Sequence, residues 1–152
     1  MLPPRLPPGW ALRALRVNGI DATDRPLVFD RSGQSTADIE LELTDRISEI
    51  GGAVLDGGGR GVAHAIVLAM PIDRGLRYPM SRYLRRATSG DDGTFHLAAV
   101  PAGAYYVATV ASIPIDGPDA WQDPAFLESL APVATTVTIG DGQRQTVNLR
   151  VR

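Results

Sequence analysis

Between Asp92 and Val107 the chain leaves its backbone little choice. Asp92-Gly93 is a tight-turn pair, because glycine accepts the positive φ that such a turn needs. Thr94-Phe95-His96-Leu97 then alternates polar and apolar residues, which places Phe95 and Leu97 on one face of a strand. Pro101 and Gly103 make a rigid corner, proline by holding φ and glycine by tolerating backbone that other residues avoid. Tyr105 and Val107, with Thr109 in the same phase, carry the next strand back into the same interior.

The period of two recurs along the chain. Ile39, Leu41 and Leu43 alternate with Glu40, Glu42 and Thr44, and Ile50, Gly52 and Val54 repeat the pattern. The run Asp56-Gly57-Gly58-Gly59-Arg60-Gly61 reads as a flexible hairpin connection, and the unbroken apolar stretch Val62 to Met70 as a central strand covered on both faces. Val133, Thr135, Val137 and Ile139 form another strand. Val147, Leu149 and Val151 close the chain, with Gly140-Asp141-Gly142 as the turn between these last two. This spacing predicts an all-β fold, an antiparallel Greek-key β-sandwich.

Asp123-Pro124 interrupts the strands with a helix N-cap and a proline at the first helical position. Phe126, Leu127 and Leu130 share a face, which predicts one short inserted helix near residues 123–130, with Trp121 packed at its start. Residues 1–46 offer three strands, Trp10 to Val17, Leu27 to Phe29 and Asp38 to Thr44, with a turn at Asn18-Gly19. Three strands bury too little to stand alone. Either they pack onto the larger sandwich, or they are the C-terminal part of a preceding β-domain; we read them as the latter, with residues 47–152 as the sandwich proper.

Asp92, Gly93, Phe95, Leu97, Val100, Pro101, Gly103, Tyr105 and Val107 follow the pattern of the carboxypeptidase regulatory-like domain family, with Asp92 one position from that family's commonest spacing. The strand of Ile50 to Asp56 and the run Gly61 to Met70 are similar to the family's first two strands, so the resemblance spans about Ile47 to Arg152. Trp121-Gln122-Asp123-Pro124 and Gly9-Trp10 with Asn18-Gly19-Ile20-Asp21 resemble stretches of large bacterial proteins that string such domains together. The resemblance implies a prealbumin-like or Ig-like sandwich in an exported bacterial protein. It implies little about activity, because a fold hosts many functions.

Composition removes much chemistry. The chain has no cysteine, hence no disulfide, thiol nucleophile or Cys-based zinc site. It has no lysine, which excludes the lysine isopeptide crosslinks of similar adhesin sandwiches. A formal net charge of −2 gives no general attraction to nucleic acid or anionic lipid. His64 and His96 have no ligand partner at zinc-site spacing, and neither forms a triad pattern with Ser81, Ser89 or Ser112. A transthyretin-like hydrolase site, with its His and Arg clusters and characteristic C-terminal tetrapeptide, has no counterpart in this sequence. The glycine-rich loop lacks the Lys-Ser/Thr of a P-loop, and Asp91-Asp92 falls far short of a calcium site. No catalytic, cofactor-binding or metal residues are expected. Met1 to Gly9 is not a signal peptide, so the signal of an exported parent is expected upstream, and no segment reads as a membrane span.

Arg74, Arg77, Arg82, Arg85 and Arg86, interleaved with Tyr78 and Tyr83, form the one basic cluster. It suits an anionic glycan, a phosphate or the acidic patch of a protein partner, against the plainer reading of a solvated hairpin shielding a sheet edge. The candidate contact residues are Trp10, Trp121, Tyr78, Tyr83, Arg82 and Arg85. The leading expectation is a non-catalytic structural or interaction module, periplasmic, cell-surface or secreted, whose partners are neighbouring domains. The alternatives are a carbohydrate-binding module using exposed aromatics and an accessory domain of an enzyme encoded upstream.

Overall fold

The computed structural model describes residues 6–24, 38–78, 80–110 and 119–151. The chain divides into two compact units, Met1–Ile47 and Ser48–Arg152.

The first unit is a sheet of β1 (Ala11–Val17), β2 (Ile20–Asp21) and β3 (Ile39–Thr44) in the order β2-β1-β3, antiparallel throughout. Asn18 and Gly19 both take positive φ, 52° and 77°, which matches the twist of a tight hairpin. Pairing sets Leu12 beside Leu43, Leu15 beside Leu41 and Val17 beside Ile39 and Ile20, with a bulge between Leu12 and Ala14. Those residues make an aliphatic face. Behind it, Arg16 pairs with Glu40 and Glu42, and Arg13 with Glu42. The expected strand at Leu27 to Phe29 lies outside the described residues.

The second unit is a sandwich of two four-stranded sheets. One holds β4 (Glu49–Leu55), β7 (Thr94–Leu97), β10 (Arg144–Thr146) and β11 (Leu149–Arg150); the other holds β5 (Ile66–Pro71), β6 (Arg85–Thr88), β8 (Gly103–Val110) and β9 (Thr135–Ile139). The order of the second is β6-β5-β8-β9, all antiparallel. Ile50, Val54, Phe95, Leu97 and Leu149 from the first sheet meet Val67, Ala69, Tyr105, Val107, Val137 and Ile139 from the second in one core. The fold is thus all-β, with one short helix, α1 (Pro124–Leu130), packed outside the sandwich. Asp123 caps α1, its carboxylate accepting from the Phe126 N–H at 2.9 Å, and Pro124 follows as the first helical residue.

Three local expectations need correction. The run Val62 to Met70 is not one strand: β5 begins at Ile66, and Val62–Ala65 is a turn with His64 at φ 59°. Ser89 imposes that turn, its hydroxyl donating to the Val62 carbonyl at 2.5 Å and accepting from the Ala65 N–H at 2.8 Å. The last strands do not form a hairpin. β9 pairs with β8, whereas β10 and β11 cross to the other sheet and run parallel to β4. The glycine-rich loop is not slack, since the Asp56 carboxylate accepts from the N–H groups of Gly58 and Arg60 at 2.8 and 2.9 Å.

The turn at Asp92-Gly93 is built as expected. The Asp92 carboxylate accepts from the Thr94 N–H at 3.0 Å, and Gly93 takes φ 83°. A Cβ there would lie 2.6 Å from Gly61 Cα and 2.8 Å from the Val54 carbonyl oxygen, both backbone atoms with nowhere to go. Gly93→Ala is therefore expected to cost about 3 kcal/mol in urea unfolding, whereas Gly57→Ala, with nothing near its Cβ, changes stability by less than about 0.5 kcal/mol.

Candidate interaction surface

The segment from Asp73 to Thr88 leaves β5, turns through one 3-10 turn at Arg74–Leu76 and returns as β6, the edge strand of its sheet. Asp73 caps the 3-10 turn through the Gly75 N–H. Its arginines are not equivalent, and that overturns the plain reading of a solvated hairpin.

Arg77 is buried, its side chain only 4% exposed. Its Nε donates to the Pro71 carbonyl at 2.7 Å and its Nη2 to the Ile72 carbonyl at 3.0 Å, while Nη1 meets Glu128 of α1 at 2.7 Å. The guanidinium also lies 5.7 Å from the Tyr106 ring centroid. Arg74 takes the other oxygen of Glu128 from the solvent side. Burial pushes the Glu128 carboxyl up, but the hydrogen bonds and charges of Arg74 and Arg77 outweigh it and hold the group below its ordinary value. Arg77 thus clamps α1 to the end of β5.

Arg82, Tyr83 and Arg85 are brought together. The Arg82 guanidinium lies 4.8 Å over the Tyr83 ring and donates to its hydroxyl at 3.0 Å, and Tyr83 stacks on Tyr105 with centroids 6.4 Å apart. The Tyr83 ring thus meets both Arg82 and Tyr105. Arg85 reaches across the sandwich edge, with Nε and Nη2 donating to the Ala99 carbonyl at 3.2 and 2.8 Å. Burial lowers the pKa of its guanidinium; Tyr105 acts against this and Arg82 with it. Ala99 sits at φ 53°, a conformation alanine rarely adopts, and its carbonyl is the one that Arg85 grips. Arg86 points to solvent.

Tyr78 is half-buried, its carbonyl accepting from the Ser81 N–H. Trp121 is half-buried against Met70, Leu84 and Leu127, beside Tyr106 and Leu130. Its neighbour Gln122 is buried and accepts from the Met80 N–H at 2.5 Å. Trp10 belongs to the first unit and is 46% exposed. Of the six candidates, Arg82, Tyr83 and Arg85 thus form one cluster, Trp121 packs in the outer hydrophobic cluster, Tyr78 is half-buried, and Trp10 is 46% exposed. Glu128 and Gln122 escaped the sequence reading. Their partners lie 51 and 42 residues away, and no local pattern marks such a pairing.

The histidines also have structural surroundings. His96 Nε2 lies 3.1 Å from Glu49, whose same oxygen meets Arg144 at 2.9 Å, so the trio ties β7, β4 and β10 across the outer face. The His96 hydrogen bond is the largest influence holding the Glu49 carboxyl below its ordinary value; burial opposes it and Arg144 reinforces it. His64 is exposed in its turn, 3.6 Å from Asp91. Among the described residues no three His, Asp or Glu side chains gather as metal ligands. A cleft of about 230 Å³ between β8 and β11, lined by Val107, Thr109, Thr135, Leu149 and Arg150 among others, is part polar and part apolar and falls below the range of about 300 to 1,000 Å³ usual for small-molecule sites.

Replacing Arg77 by Met is expected to cost about 2 to 3 kcal/mol, because two carbonyls lose their donor, while Arg74→Ala at an exposed position costs less than about 1 kcal/mol; urea unfolding measures both. A carboxyl with a depressed folded-state pKa adds stability that is complete above its unfolded value and lost as pH falls through the folded one. Glu49→Gln is therefore expected to flatten the acid limb of Tm against pH, in the range below the ordinary glutamate value.

No family model matches the chain, and no curated protein does. Among solved structures, the Bacillus anthracis TIE protein is 10% identical with a TM-score of 0.44, over 75% of this chain and 19% of that one. A candidate carbohydrate binding protein from Pseudomonas aeruginosa is 16% identical with a TM-score of 0.43, over 68% of this chain and 88% of that one. A streptococcal ancillary pilin is 14% identical with a TM-score of 0.46, over 72% and 34% respectively. The chain spans well under two thirds of the length of the Bacillus and streptococcal proteins it resembles.

Proposed function

We propose that this chain is a non-catalytic structural and interaction module of a larger exported bacterial protein, placed in the periplasm, on the cell surface or outside the cell. In this reading Ser48–Arg152 is a self-contained spacer or docking domain of the carboxypeptidase regulatory-like type, and residues 1–46 are the C-terminal part of a preceding β-domain. One observation carries it. Charged and aromatic side chains that would serve a ligand are engaged within the second unit: Arg77 on two carbonyls and Glu128, Arg85 on Ala99, Tyr83 with Arg82 and Tyr105. No helix of the described residues is long and apolar enough to cross a membrane.

A second reading, carbohydrate binding, is favoured by the open ring of Trp10 alone. Affinity electrophoresis against a panel of neutral and acidic polysaccharides separates the two. The module reading expects unretarded migration for the native chain and for Trp10→Ala. Retardation that Trp10→Ala removes without loss of folded structure would replace it with glycan binding, and turnover of any substrate by the purified chain would replace it with an enzyme.

A further inference from the structure

β9 ends the sheet β6-β5-β8-β9 on one side, and its outer edge meets no other strand among the described residues. Which of its backbone groups face outward follows from β8. The Ala104 carbonyl accepts from the Ile72 N–H at 3.0 Å, so Ala104 points to β5, and Tyr105, next along the strand, points to β9. Tyr105 stands opposite Val137 in unbroken register. The N–H and C=O of Val137 are thereby turned toward β8, and those of Thr136 and Thr138 away from it. The next outward positions are already engaged. The Ala134 N–H donates to the Ala131 carbonyl and the Gly140 N–H to the Gln143 side chain, while the Gly140 carbonyl accepts from Ser48 Oγ. The open edge is therefore Thr136-Val137-Thr138, closed at either end, and both threonines are exposed.

Sheets commonly guard such an edge with charge, proline or a bulge. β6, at the other side of the same sheet, carries Arg85 and Arg86, and β10 and β11 carry Arg144 and Arg150. β9 has no such guard. From Val133 to Ile139 there is no charged residue, proline or glycine, every residue but Ala134 is β-branched, and the register against β8 does not shift.

We propose that the open edge of β9 pairs antiparallel with β9 of a second copy of this chain, about a two-fold axis through Val137. Thr136-Val137-Thr138 reads the same in both directions. Self-pairing therefore sets Thr136 of each copy opposite Thr138 of the other, and each such pair exchanges its N–H and C=O groups. Val137 meets its own copy between them as the pair without hydrogen bonds. Threonine beside threonine is a favourable cross-strand combination, and no charge meets its like. This symmetry selects a second copy as the occupant, because the outward groups stop at Thr136 and Thr138, the span that self-pairing uses in full. The proposal deepens the docking reading of Ser48–Arg152 and rests on it. The contact is short, well under the ~800 Å² per partner of a stable interface, so association is weak and depends on concentration.

Sedimentation of the 152-residue chain is expected to show monomer at about 10 μM and a growing dimer toward about 1 mM, with amide exchange at Thr136 and Thr138 slowing at least about fivefold over that range. Thr138→Pro removes an outward N–H that β8 does not use, which an edge strand tolerates, and Thr136→Lys places a charge on the edge. Each is expected to abolish the dimer with Tm moved by less than about 3 °C, whereas Leu41→Glu on the first unit leaves the dimer intact. A chain that stays monomeric at about 1 mM, with exchange at Thr136 and Thr138 independent of concentration, would overturn the proposal. So would a dimer that survives both β9 substitutions or is lost with Leu41→Glu. Exchange in the native chain decides the matter even where a variant fails to fold. A monomer that migrates unretarded through polysaccharides removes the self-pairing and leaves the module reading standing, while retardation or turnover removes the module reading whatever the oligomeric state.

Discussion

The backbone of Val147 lies against Gly52 with no space for a side chain between them, and the second unit depends on that contact. A Cβ on Gly52 would fall 1.7 Å from the Val147 carbonyl oxygen. Because glycine stands there, Val147 donates its N–H to the Gly51 carbonyl at 2.8 Å, and the chain on either side runs parallel to β4 as β10 and β11. β4 thereby gains partners on both edges, with β7 antiparallel on the other side. Only then does Leu149 enter the core beside Val54 and complete the interior that Phe95 and Tyr105 fill from elsewhere. A parallel pairing of this kind has a long-range cost in chain entropy that local turns cannot repay, so it is offset by burial.

A second constraint closes the outside of the sandwich. Leu68 and Met70 of β5 are apolar on the face away from the core, and a sheet exposing them would be a poor surface. α1 and the turn before it place Leu127 and Trp121 in the outer cluster that Met70 joins, and Arg77 pins the arrangement through Glu128. Arg77 and Arg85 of the basic cluster thus hold backbone carbonyls in place. Guanidinium groups serve here because one side chain reaches two carbonyls and a carboxylate at once, which a point charge on a flexible stem does less well.

Much of this was legible in the residues. Asp92-Gly93, the alternation of Phe95 and Leu97, and the corner at Pro101 and Gly103 are short-range instructions, and each is realised where it stands. The cap at Asp123-Pro124 is equally local. What could not be read is long-range. An apolar composition gave no hint that Ser89 would bend Val62–Ala65 into a turn, and the alternation of Val147, Leu149 and Val151 is the same whether the strand pairs with β9 or with β4. Arginine at positions 77 and 85 looks like surface by type; only the packing of α1 and the loop before β8 buries the two side chains.

The sequence by itself determined the class of fold, the position of the short helix and the turns at Asn18-Gly19 and Asp92-Gly93, because period, glycine φ and capping act over a few residues. It also removed thiol and lysine chemistry outright. Tertiary structure alone decided which sheet each late strand joins and which arginines become anchors. It also decided that Tyr83 meets Arg82 and Tyr105 while Trp10 stays 46% exposed. The physical reason is that hydrogen-bond partners and burial come from segments tens of residues apart, and their choice is settled by which arrangement covers the most apolar surface without leaving a polar group unpaired.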